Sequence, residues 1–182
     1  MGILLAFAPF IAFALVERLA GPTAGLLAGA RVSAGLLLRD RVAGRSAKLL
    51  EIGTALLFGA LALVALLGQP AWSVIGVRLA VDAGLLAIVL ASIALGRPFT
   101  LQYARESVPP QLWDTPEFRR ANLVVTAVWA LAFAVMVAAE LVLLLLPGVP
   151  RGIGIAAIVL ALVGAVKFTG WYPDRVKASA AR

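Results

Sequence analysis

Apolar residues run along this chain in long, nearly uncharged stretches, separated by short polar connections. Six such stretches predict helices over 2–20, 22–38, 49–67, 72–95, 121–146 and 152–171. A helix needs about 20 apolar residues to cross the roughly 30 Å hydrocarbon core of a bilayer, and these stretches approach or reach that length. Gly21-Pro22, Gly68-Gln69-Pro70 and Pro147-Gly148-Val149-Pro150 carry the chemistry of tight turns. Connections that short set neighbouring helices antiparallel. The expected fold is an all-α membrane protein, a bundle of six transmembrane helices arranged as three antiparallel hairpins in a single transmembrane domain, 1–182.

The first stretch needs a separate reading, because Ile3–Val16 has the length of a signal-peptide core. No Lys or Arg precedes it, and it leads through Glu17-Arg18 and Gly21-Pro22 straight into the next apolar run. A retained first helix is expected.

Composition supports the membrane reading. Of the 182 residues 63% are hydrophobic, and the mean hydropathy is +1.03. Soluble domains are about half apolar. The net charge of +7 would suit nucleic acid, but its distribution points elsewhere. Arg39, Arg41, Arg45 and Lys48 follow the second helix, and Arg97, Arg105, Arg119 and Arg120 follow the fourth. Lys167, Arg175, Lys177 and Arg182 close the chain. With six helices all of these fall on one side, leaving Arg18 and Arg151 on the other. Lys and Arg accumulate on the cytoplasmic side, so both termini are expected there, and a five-helix count would spoil the asymmetry. No nucleic-acid partner is expected.

The chain has no cysteine and no histidine. Disulfides, thiol catalysis, histidine proton relays and histidine-held haem or metal are excluded. None of the nine carboxylates stands in a Glu-x-x-His pattern. The sequence offers no catalytic residue, metal site or cofactor site, and a non-enzyme is expected.

The long connection 96–120 interleaves Phe99, Leu101, Tyr103, Leu112, Trp113 and Phe118 with charge. That mixture suits a cytoplasmic segment lying among lipid headgroups, with a partner surface as the alternative. Gly25, Gly29 and Ser33 recur every four residues, as do Ala157, Ala161 and Ala165. Small residues so spaced allow close helix approach, within the bundle or in a homo-oligomer.

Candidate functional residues are the charges that lipid would not tolerate. Arg31 and Asp82 each stand about nine or ten residues into a helix, roughly 14–15 Å from its outer end. Arg78 is one turn from Asp82 on the same face. Glu17 and Glu140 lie toward the outer ends of the first and fifth helices. Such groups face the bundle interior and pair. In a structural reading they neutralise one another and lock helices together. In a functional reading they line a cavity, with Asp82 a proton or cation site and the arginines holding an anion. Lys167 lies close to the cytoplasmic boundary and snorkels to the headgroups. Glu51 is placed to pair with Lys48 at the same level.

AFAPFIAFALVERLAGPTAGLLAGA joins an opening helix, a polar break and an Ala-rich second helix, and in this it resembles the intracellular septation protein A family of bacterial inner-membrane proteins. GVRLAVDAGLLAIVLASIALGRPF is similar to its fourth helix, with Arg78 at the basic start and Arg97-Pro98 at the closing turn. Trp113, Asn122, Trp129-Ala130 and Phe133 follow the family's later order, across a loop longer than its compact version. The resemblance implies a multi-pass protein of the bacterial inner membrane, serving septation and envelope homeostasis through contacts with other membrane proteins and with lipid. It implies no reaction. The alternatives are a small transporter or lipid-handling protein built on Arg31, Arg78 and Asp82, and an accessory subunit of a larger membrane complex.

Overall fold

The computed structural model describes residues 2–68 and 73–180, with side chains for 4–68 and 73–176. Among these residues the chain is helical and has no strand. The turn at Gln69-Pro70 and the start of the fourth predicted helix at Trp72 lie outside the described residues, as does Arg182.

The first predicted helix is two pieces, α1 Gly2–Leu5 and α2 Ala8–Ala20. Pro9 explains the break, because its ring would meet the carbonyl of Leu5 if one helix ran through. The second helix, α3 Pro22–Val42, runs past the predicted end at 38. Arg39 and Arg41 in its last turn face the negative end of the helix dipole. Gly44, at φ 67°, then closes it. The Gly44 N–H donates to the Arg41 carbonyl and the Arg45 N–H to that of Asp40, the paired bonds of a glycine C-cap.

Helix α4 spans Leu49–Gly68 and α5 spans Val74–Ala94. Gly96, at φ 65°, ends α5 with the same two bonds, from Gly96 to Ile93 and from Arg97 to Ser92. The long connection then folds into a short helix, α6 Phe99–Ala104, and a 3-10 turn, Pro110–Leu112. Helix α7, Pro116–Leu145, starts five residues before the predicted position. Thr115 caps it by accepting from the Phe118 N–H, and Pro116 and Glu117 suit a first turn. Helix α8, Arg151–Ala180, continues beyond 171 and through Pro173.

Among the described residues, four helices are long and apolar enough to cross a membrane: α4, α5, α7, and α8 over Arg151–Val176. These mark the chain as a membrane protein. Helix α2, at 13 residues, is shorter than a crossing requires. Helix α3 has 21 residues, but Arg31, Arg39, Asp40 and Arg41 dilute its apolar character.

The chain forms two compact units, 1–88 and 89–182. In the first, α2 packs on α3 and α3 on α4. The core joins Phe13, Leu26, Phe58, Ala62, Val77 and Val81. Gly25 and Gly29 make this possible. A Cβ on Gly25 would stand 2.9 Å from the Phe13 carbonyl oxygen, and one on Gly29 would stand 2.6 Å from the Phe58 ring. The stripe Gly25–Gly29–Ser33 therefore serves internal packing. Gly53 lies against Ile88 and Gly84 against Leu57, so α4 and α5 run antiparallel.

In the second unit, α7 and α8 are antiparallel, as Leu143 lies against Gly154 and Trp129 donates to Thr169 Oγ1 at 2.9 Å. Helix α6 packs on α7. Thr100 donates to the Asn122 carbonyl at 2.9 Å and lies 2.8 Å from Thr126 Oγ1, so Thr126 supplies the proton between the two hydroxyls. Phe99, Thr100 and Tyr103 are buried there. The loop thus departs from the sequence expectation at two positions. Phe99 and Tyr103 pack inside the protein, and Leu112 is the large apolar side chain of this segment left exposed.

Candidate functional site

The predicted intramembrane cluster resolves into separate placements. Arg78, in the second turn of α5, reaches across to Glu17 near the end of α2. Glu17 Oε2 accepts from Arg78 Nε at 3.2 Å and from Nη2 at 2.6 Å. The Glu17 side chain is 1% exposed and that of Arg78 is 38% exposed. A carboxylate so deeply buried needs a partner, and breaking the pair would strand it. Asp82, one turn further along α5, is half-buried. Arg31 is exposed on α3 and makes no ion pair among the described residues. Glu140 is buried on α7, in the second unit. The structure therefore brings Glu17 and Arg78 together and leaves Arg31 apart from them.

A second charge cluster joins the ends of α3 and α4, and its centre is Asp40. This carboxylate has no exposed side-chain surface. Arg39 donates to Oδ1 at 2.9 Å from Nε and 2.7 Å from Nη2. Lys48 Nζ donates to Oδ2 at 3.3 Å and to Glu51 Oε1 at 3.4 Å. Arg45 stands at 3.9 Å from Oδ1. Burial pushes the Asp40 carboxyl up, but the hydrogen bonds and charges of Arg39 and Lys48 outweigh it and hold the group below the ordinary carboxylate range. Asp40 lies beyond the apolar stretch 22–38. A single acid among Arg39, Arg41, Arg45 and Lys48 reads as solvated in sequence. Its role emerges only when the Gly44 cap folds the chain back.

The third feature is a cleft of about 730 Å³ in the second unit, between the end of α5, α6 and the first turns of α7. Arg97, Arg105, Arg119 and Arg120 line it together with Ile93, Leu101 and Leu123, and among the described residues no carboxylate lines it. Arg119 is paired with Asp114 at 2.8 Å. Arg105 lies with Cζ 5.2 Å from the centre of the Trp113 ring, within cation–π range. Trp113 is itself fixed by donating from Nε1 to the Val108 carbonyl at 2.9 Å. Arg105 Nε is buried and has no hydrogen-bond partner among the described residues. In sequence these arginines read only as loop charge. The fold of α6 gathers them.

The motif residues shared with the septation family resemblance fall in both units. Arg78 holds Glu17, as above. Arg97 and Pro98 line the cleft, and Trp113 stacks on its Arg105. Asn122 is buried and donates to the Phe118 carbonyl at 2.8 Å. Trp129 is buried beside Phe133, with ring centres 5.5 Å apart. Among the described residues no group of three or more acids is placed to hold a metal ion.

No family model, curated protein or solved structure matches the chain. The likeness to the septation family rests on the residues quoted above.

Proposed function

We propose that this chain is a six-helix protein of the bacterial cytoplasmic membrane, with both termini inside, acting as a non-enzymatic scaffold in envelope biogenesis and septation. Register supports six crossings over four. Asp40 of α3 meets Lys48 at one end of α4, and Gly29 meets Phe58 midway. Helix α3 thus accompanies α4 through its depth, and α2 packs back along α3 with 13 residues or about 20 Å of helix, preceded by the short α1.

The observation that carries the scaffold reading is the Glu17–Arg78 pair. The arginine at the basic start of α5 is bound by a carboxylate of its own bundle, which makes it a fastening between helices. A transporter built on Arg31, Arg78 and Asp82 would need those groups to converge, and Arg31 stands exposed. The septation resemblance supplies the process.

The test is complementation in the native host. Deleting the gene should delay or misplace septa. A Glu17→Leu/Arg78→Leu double variant that inserts at normal levels should restore division. A well-inserted double variant that fails to complement would overturn the fastening role and favour the transport reading.

A further inference from the structure

We infer that the arginine cleft in the second unit binds the phosphate headgroup of an anionic membrane phospholipid. The position is set by the helices. Helix α5 ends at Ala94 and α7 turns apolar at Ala121, so the cleft lies at the level where apolar helix gives way to polar chain. That level is headgroup depth.

The lining has the two halves of a lipid. Ile93, Leu101 and Leu123 supply an apolar wall, and the arginines supply the charge. Guanidinium groups present planar paired donors that match phosphate oxygens, and basic pockets between membrane helices favour anionic headgroups. One of the four cations is already neutralised, Arg119 by Asp114. Arg97 and Arg120 form no ion pair among the described residues. Arg105 is held in place by Trp113, and its buried Nε has no acceptor among the described residues. A phosphodiester in the cleft would accept from the guanidinium N–H groups of these arginines and offset the uncompensated charge. The inference stands apart from the scaffold proposal, because lipid binding is measured on purified protein and septation in cells.

The experiment uses the full chain in detergent, titrated with phosphatidylglycerol or phosphatidylcholine and read by native mass spectrometry and thermal shift. Phosphatidylglycerol should bind and raise Tm, and phosphatidylcholine should do neither. Arg105→Gln and Arg120→Gln should each weaken phosphatidylglycerol binding about five-fold, the effect of roughly 1 kcal/mol per basic residue near an anionic surface. Arg151→Gln, at the start of α8 and outside the cleft, should leave it unchanged. Should Arg105→Gln fail to fold, Arg120→Gln and Arg97→Gln carry the test, since neither side chain forms an ion pair among the described residues. Equal binding of the two lipids, or an equal loss in Arg151→Gln, would overturn the site. Displacement of the lipid by millimolar inorganic phosphate, with the same rise in Tm, would assign the cleft to a free anion and overturn the lipid.

Discussion

Oε2 of Glu17 accepts both Nε and Nη2 of Arg78, joining α2 to α5 across 61 residues of sequence. The two partners differ in burial, and that difference makes the pair testable. Arg78→Leu leaves a carboxylate with 1% exposure and no cation, whereas Glu17→Leu leaves an arginine that is 38% exposed. Arg78→Leu should cost about 3 kcal/mol and Glu17→Leu less. The double substitution should recover most of the loss. Thermal unfolding in detergent measures all three, and a double variant as unstable as Arg78→Leu would contradict the pairing.

The α2–α3 contact makes a second prediction. A Cβ on Gly25 would lie 2.9 Å from the Phe13 carbonyl oxygen and 3.0 Å from Glu17 Cα, which are backbone atoms that cannot yield alone. Gly25→Ala should therefore destabilise by about 1–3 kcal/mol. Gly29→Ala meets a ring, that of Phe58, so adding Phe58→Leu should relieve part of its cost. Gly59→Ala, with nothing within 4 Å, should be neutral or slightly stabilising. Equal loss in Gly25→Ala and Gly59→Ala would refute the close approach.

Asp40 predicts a pH dependence. Its carboxyl is held below the ordinary carboxylate range in the folded protein by Arg39 and Lys48. A depressed folded value means that the stabilisation is fully present above about pH 3.8 and fades as pH falls through the lower folded value. Acid titration of unfolding should show wild type losing stability in that range. Asp40→Asn should start less stable at neutral pH and have a shallower acid limb. Identical acid limbs would show that Asp40 titrates alike in both states.

How far these features can be read from sequence depends on the physics behind each. Long apolar runs are set by the bilayer, so α4 and α5 follow the predicted 49–67 and 72–95 closely where described. Ends set by local capping drift, as at Thr115 and Gly44, because a cap depends on a few polar atoms and leaves little trace in hydropathy. Charge asymmetry reads out parity. Placing Arg45, Arg105 and Arg175 together requires an even number of crossings, and four satisfy this as well as six. Pairing across helices is the least legible. Arg78 has Asp82 one turn away in sequence, yet its short contact is to Glu17, because packing of Phe13 and Gly25 brings α2 into reach.

The number of crossings is tested most directly at Thr23. The native chain has no cysteine, so each introduced thiol reports alone. In intact cells treated with a membrane-impermeant maleimide, Ser46→Cys and Ser107→Cys should be protected and Gly148→Cys labelled under four or six crossings alike. Thr23→Cys separates them. It is exposed at the start of α3, next to the turn that six crossings place outside. The account predicts that Thr23→Cys is labelled as fully as Gly148→Cys. Protection of Thr23→Cys until the membrane is permeabilised, with Gly148→Cys still labelled, would leave four crossings and contradict the six-helix bundle.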